Sequence, residues 1–193
     1  MPPSILTEYL SAAETMPPQT ARMIAGGTQV FSPQEVDRAV DRLSVGLTVE
    51  FQDQNPVLLT VLHGGVVLAG MLLRRLVFPC EFGYLHATRY GDATHGKRLE
   101  WRGEDTPDLK NRVVLLVDDI LDEGTTMTAL VQHCREAGAS AVHPVVLVER
   151  TGVERSEQIT HAALQTGAGF LIGSGMDVAG YGRNLPGVYK LDV

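Results

Sequence analysis

A chain of 193 residues has room for one domain with a real core, but not for two full ones. Apolar residues make up 44% and charged residues 20%, an ordinary globular balance, and the longest run without a polar side chain, Gly64 to Leu73, falls well short of the ~20 residues that cross a bilayer. A formal charge of −7 argues against non-specific binding to nucleic acid or to anionic lipid, yet leaves room for a phosphorylated ligand held locally by backbone N–H groups or a metal ion.

In chain order, Met1 to Thr20 lacks a basic segment followed by an apolar one, so no secretory signal is expected. Ser32-Pro33-Gln34-Glu35 has a hydroxyl N-cap, Pro at the first helical position and Glu placed to close a capping box. Val36, Val40, Leu43 and Leu47 then recur at helical spacing, predicting a helix to about Phe51. Pro56 to Leu62 reads as a strand covered on both faces, broken by His63-Gly64-Gly65. Val66 to Leu76 reads as an apolar helix with Arg74 and Arg75 in its last turn. Glu81 to Tyr90 is a further predicted strand. Gly91 to Lys110 is charged and rich in Gly and Pro, which suits a functional lid or a small hairpin. Val113 to Val117 is a buried strand, and a helix follows from about Thr125 to Ala137, capped by Gly138. Val142 to Val148 predicts another strand, with Pro144 near its start.

This alternation predicts an α/β fold with a mostly parallel central sheet flanked by helices. Ligands in such sheets bind at the carboxyl ends of the strands, where the loops of interest here fall. The two cysteines, Cys80 and Cys134, are too few for a disulfide framework; core packing in a reducing cytoplasm is expected. The six histidines are scattered and form no zinc pattern, and Gly173-Ser174-Gly175 lacks the strand-then-helix spacing of a dinucleotide site.

The strongest signal runs from Val113 through Asp118-Asp119-Ile120-Leu121-Asp122-Glu123-Gly124-Thr125-Thr126. Two carboxylates leave a buried strand, a third follows in the turn, and Gly124, Thr125 and Thr126 open a helix. N–H groups and hydroxyls at a helix start suit a phosphomonoester, and Asp118 and Asp119 suit sugar hydroxyls, directly or through metal-bound water. The run resembles the phosphoribosyl-pyrophosphate motif of type I phosphoribosyltransferases. It departs from that motif at Glu123, where the family usually has Thr; Glu123 is expected to turn its side chain away from the phosphate and offer only its N–H.

Three further segments are similar to hypoxanthine-guanine phosphoribosyltransferases, and the resemblance covers about Val57 to Leu191. Leu62-His63-Gly64 matches the family's pyrophosphate loop, which implies a cis peptide between Leu62 and His63; the family often has Lys where His63 stands. Tyr84 to Gly91 matches the strand entering the mobile lid, with Arg89 and Tyr90 where a small residue and Tyr usually close over pyrophosphate. Phe170 to Leu185 matches the purine-binding segment. There Phe170 would stack on the base, the Leu171 backbone would bond its edge, Asp177 would help hold a second magnesium, and Arg183 would bind pyrophosphate oxygens. The base-reading Lys corresponds to Arg150, or, with the register slipped by one, Glu149 faces the base and a 6-amino purine is favoured.

The resemblance implies one domain over residues 1–193, with a core at about 32–150 and a small hood from 1–31 and 151–193. It implies transfer of the phosphoribosyl group from phosphoribosyl pyrophosphate to hypoxanthine or guanine. Asp122 would act as general acid/base, Mg2+ would sit on Asp118, Asp119 and Asp177, and a lid over about Thr88 to Asp105 would exclude water. A homodimer or homotetramer is implied on the same ground. The alternatives are a regulatory protein that keeps the phosphoribosyl-pyrophosphate pocket, and a xanthine- or adenine-preferring relative.

Overall fold

The computed structural model describes residues 5–12, 15–90, 98–153, 161–167 and 169–192, with only the backbone of 88–90 and 98–101. Its elements in chain order are α1 (Ile5–Ser11), α2 (Pro18–Ala25), β1 (Thr28–Phe31), α3 (Pro33–Phe51), β2 (Val57–Leu62), α4 (Val66–Leu73) and β3 (Glu81–Tyr90). They continue with β4 (Arg98–Asp105), β5 (Val113–Leu121), α5 (Thr125–Glu136), β6 (Ala141–Arg150), β7 (His161–Thr166), β8 (Phe170–Ile172) and β9 (Val188–Leu191).

A six-stranded sheet has the order β4-β3-β2-β5-β6-β7. All neighbours run parallel except β4, which pairs antiparallel with β3 at one edge. The central strands are apolar throughout because each face is covered. Leu58, Leu115 and Leu147 pack with Val40, Leu47 and Leu72 of α3 and α4. Leu59, Leu116 and Val146 pack on the other face with Met127, Leu130 and Cys134 of α5. The capping box at α3 forms as its residues predict: the Ser32 hydroxyl accepts from the Glu35 N–H at 3.3 Å, and Glu35 accepts from the Ser32 N–H at 2.8 Å. Cys80 and Cys134 are both free thiols, and Cys134 is buried in the core.

Above the carboxyl ends lies a three-stranded antiparallel sheet, β1-β9-β8. Leu6, Met16 and Ile24 from the first segment pack there with Ile172, Leu185, Tyr189 and Leu191 from the last, in a core of their own. Short elements with few apolar positions gave no periodic signal before Ser32.

Several boundaries differ from the sequence expectations. The strand expected at Val113–Val117 runs on to Leu121, because β6 alongside continues the ladder through Asp118↔Val146 to Leu121↔Glu149. Polar side chains had marked its end too early. The helix expected to reach Leu76 stops at Leu73, where the Arg75 N–H turns back to Leu72 O at 2.8 Å in a tighter turn. Arg75 then reaches across to Asp41 at 2.7 Å and Asp37 at 3.3 Å on α3. Of the lid expected over Thr88 to Asp105, the part 98–105 is the strand β4, so the hairpin reading fits that stretch; residues 91–97 lie outside the described residues. β7 carries the large sheet past Arg150, where the core had been expected to close.

Candidate active site

A cleft of about 540 Å³ opens where the carboxyl ends of β2, β5 and β6 meet the small sheet. Leu62 and Gly64 line it from the β2–α4 turn; Asp118, Asp119, Asp122, Gly124 and Thr126 line it from the end of β5 into α5. Arg150 comes from the last position of β6, and Phe170, Leu171, Asp177 and Arg183 come from the segment around β8. Residues spread over the chain are thus brought to one place by strand ends, where backbone polarity is open to a ligand.

The Leu62-His63 peptide is cis. Gly64 lies so close to Asp119 that a Cβ there would fall on its carboxylate. Asp118 and Asp119 each accept the N–H of the following residue, at 2.9 and 2.6 Å, which fixes both carboxylates at the cleft. Burial first, and then the charge of Asp119, holds the Asp118 carboxyl well above its ordinary value. Burial raises Asp119 as well, against two hydrogen bonds and the Arg183 charge that lower it. Paired buried carboxylates of this kind are relieved by a cation, and an all-oxygen donor set suits a hard one such as magnesium.

Asp122 stands just beyond the end of β5, half exposed, with Oδ1 at 2.7 Å from Arg150 Nε. Arg150 also donates to Gly169 O at 2.9 Å. Glu149 points away from the cleft, where its carboxylate accepts from Gln165 of β7 at 2.6 Å. The two readings left open for this position therefore separate: Arg150 lines the cleft, and Glu149 does not. Gly124 is the N-cap of α5 and supplies no side-chain cap, and the first turn of the helix opens onto the cleft.

Phe170 is 42% exposed, unusual for a large aromatic ring, and it borders the cleft. Arg183 joins the segments by several bonds: to Asp177 at 2.5 Å, to Gly175 O at 2.7 Å, and at 3.9 Å to Asp119. Asp177 further accepts the Gly180 N–H at 2.6 Å. Gly175, at φ +111°, comes so close to Gly64 that a Cβ there would meet the Gly64 carbonyl.

Other expected site residues fall elsewhere. His63, Glu123 and Thr125 are not among the lining side chains, and Glu123 is exposed. His63 instead packs edge-on against His86, ring centroids 4.7 Å apart. The side chains of Arg89 and Tyr90 lie outside the described residues. Apolar lining residues went unnoticed in the sequence: Val61, Ala87, Ile120, Met127 and Met176. Only the alternation along β5 could have flagged Ile120, which sits between two acidic positions.

The family model for the phosphoribosyl transferase domain matches residues 26–165. The hypoxanthine-guanine phosphoribosyltransferase of Bacillus subtilis (strain 168) is 28% identical over 83% of this chain and 92% of its own. The hypoxanthine-guanine-xanthine phosphoribosyltransferase of Tritrichomonas foetus is 26% identical over 85% of this chain and 92% of its own. Among solved structures, a hypoxanthine phosphoribosyltransferase from Staphylococcus aureus superposes with a TM-score of 0.80, covering 86% of this chain and 91% of that one at 19% identity, which is a likeness of fold.

Proposed function

Because the chain belongs to the phosphoribosyl transferase domain family, we propose that it serves purine salvage, moving the 5-phosphoribosyl group of phosphoribosyl pyrophosphate onto hypoxanthine or guanine with release of pyrophosphate. The observation that carries this reading is the meeting, in one cleft, of the Asp118–Asp119 pair, the start of α5, the Asp122–Arg150 ion pair and the exposed face of Phe170. Relatives named for hypoxanthine-guanine transfer match over most of their length and support the same choice.

In the proposed reaction the bond from ribose C1 to pyrophosphate breaks with its electron pair leaving on pyrophosphate. The bond from a purine ring nitrogen to C1 forms through an oxocarbenium-like state. The proton the base carries at N7 passes to Asp122, which Arg150 holds in place. Arg150 offers donors to the purine O6, and Phe170 offers a stacking face. The first turn of α5, with Gly124, Thr125 and Thr126, receives the 5′-phosphate, to which Glu123 adds its N–H. Leu62, Gly64 and Arg183 border the pyrophosphate, with the His63 main chain in the same turn and its ring turned to His86. Asp118 and Asp119, helped by Asp177, are suited by their oxygen donors to hold Mg2+, which would neutralise charge on the leaving group.

No helix among the described residues is long and apolar enough to cross a membrane. The two free thiols favour a cytoplasmic setting, and the family resemblance favours a homodimer or homotetramer.

The test is nucleotide formation from phosphoribosyl pyrophosphate and magnesium with hypoxanthine, guanine, xanthine or adenine as acceptor. Hypoxanthine or guanine is expected to yield nucleotide and pyrophosphate. No product from any base would overturn transfer, and adenine as sole acceptor would overturn the 6-oxopurine assignment.

A further inference from the structure

At the opposite end of the sheet from the cleft, three side chains distant in sequence come together: Glu50 in the last turn of α3, His143 near the start of β6 and His161 at the start of β7. One donor atom from each lies within 4.8 Å of the others. Along β6 the distance from His143 to Arg150 is roughly 23 Å at ~3.3 Å per residue, so this cluster is separate from the active-site carboxylates.

The register explains the meeting. Val145 pairs with His161, and residues two apart on a strand share a face, so His143 and His161 point the same way. That face is the one on which α3 packs, and its final turn brings Glu50 to the two rings. Phe51, fully buried, locks them. It meets His143 edge-on at 4.8 Å and His161 edge-on at 5.5 Å between centroids, and the two imidazoles stand 6.0 Å apart.

We propose that Glu50, His143 and His161 form a binding site for a zinc-class divalent cation, with two imidazole nitrogens and one carboxylate oxygen as ligands. Bonds of ~2.0–2.1 Å in a tetrahedron set donor atoms about 3.3–3.4 Å apart. His161 Nε2 and Glu50 Oε2 are 3.6 Å apart, close to that edge and too far for a hydrogen bond. His161 Nε2 is buried and, among the described residues, has no hydrogen-bond partner, which is the state of a nitrogen awaiting a ligand. Glu50 is about half exposed, which leaves solvent access to the cation. Two nitrogens and one oxygen favour zinc or its transition-metal neighbours over magnesium, which prefers oxygen. Bound there, the ion ties α3 to β6 and β7.

The experiment uses the full chain freed of metal, with Zn2+ alone titrated in competition against a chromophoric chelator. One ion per chain is expected, with a dissociation constant in the micromolar range or tighter and no competition from millimolar magnesium. Loss of outer-shell partners already costs metal sites ~10–100-fold, so Glu50→Gln and His161→Gln should each weaken binding at least about tenfold. Zinc should also raise the melting temperature of the native chain but not that of Glu50→Gln. Asp118→Asn should leave the zinc affinity unchanged. Glu50→Gln alters one partly exposed side chain by a single atom and so stays informative should the histidine variant fail to fold. Absence of binding tighter than millimolar, or undiminished binding by Glu50→Gln, overturns the proposal.

Discussion

Arg150 Nε stands 2.7 Å from Asp122 Oδ1 and so joins the end of β6 to the turn after β5. A second nitrogen of the same guanidinium bonds the carbonyl of Gly169, the residue before Phe170, at 2.9 Å. One planar fork thus positions the carboxylate, the aromatic face and its own remaining donors relative to each other, which a single ammonium could not do in the same way. A strand-end arginine thus ties together three parts of the cleft.

If Asp122 moves the purine proton, Asp122→Asn keeps size and hydrogen bonding but removes the base. Turnover with hypoxanthine should fall ~10²- to 10⁴-fold while phosphoribosyl pyrophosphate still binds. Steady-state rates together with a direct binding titration check this; a loss under about tenfold with binding intact sinks the assigned role.

Arg150→Met removes the charge and both bonds. A hydrogen bond to a charged group contributes ~1.5–3 kcal/mol, so kcat/KM for hypoxanthine should drop roughly 10- to 100-fold. Arg150→Lys should recover part of this, since an ammonium still donates to O6. Equal rates for the Met and Lys variants would show that the charge does not read the base.

Gly175→Ala places a Cβ against the Gly64 carbonyl at a φ of +111°. Such backbone strain costs about 1–3 kcal/mol, and a chain of this size loses about 2–4 °C of melting temperature per kcal/mol. Calorimetry should record a fall of roughly 2–12 °C. An unshifted melting curve would mean that the two loops are not in contact in solution.

Acid should weaken the fold through His86. Its Nε2 is buried and, among the described residues, has no hydrogen-bond partner; burial, then the charges of His63 and Arg102, hold the ring below its ordinary value of 6.5. The folded ring stays neutral while the unfolded one takes up a proton. Its contribution is therefore complete above about 6.5 and is lost as pH falls below that value. Urea midpoints at pH 8 and pH 5.5 should differ less for His86→Gln than for the native chain; an equal difference would place the acid sensitivity in other groups.

Much of this was legible from residue order alone. Ser32 and Glu35 announce their helix, and the unbroken apolar runs at β2 and β5 announce strands covered on both sides. The run from Asp118 to Thr126 pointed to the cleft because strand-end carboxylates followed by a helix start have few uses other than ligand binding. What stayed hidden depends on contacts between distant segments. Glu50, His143 and His161 look scattered until the β6–β7 register aligns them, so the expectation that the histidines form no metal pattern rested on spacing along the chain only. β8 and β9 are short and find their apolar partners in the first helices, a pairing that no local period could reveal. Whether Arg150 or Glu149 faced the cleft turned on a one-residue register, which the sequence left undecided.

At Gly175 and Gly64 the loop after β8 meets the loop after β2 at main-chain distance, with the Asp119 side chain beside both. A joint of that kind has no padding: it cannot be loosened or tightened by trading one methyl for another, as a packed core can. The approach of these two loops at the cleft is accordingly set by main chain. Under the proposed transfer the cleft is a fixed frame at this joint, and change in specificity is directed toward the side chains hung upon it.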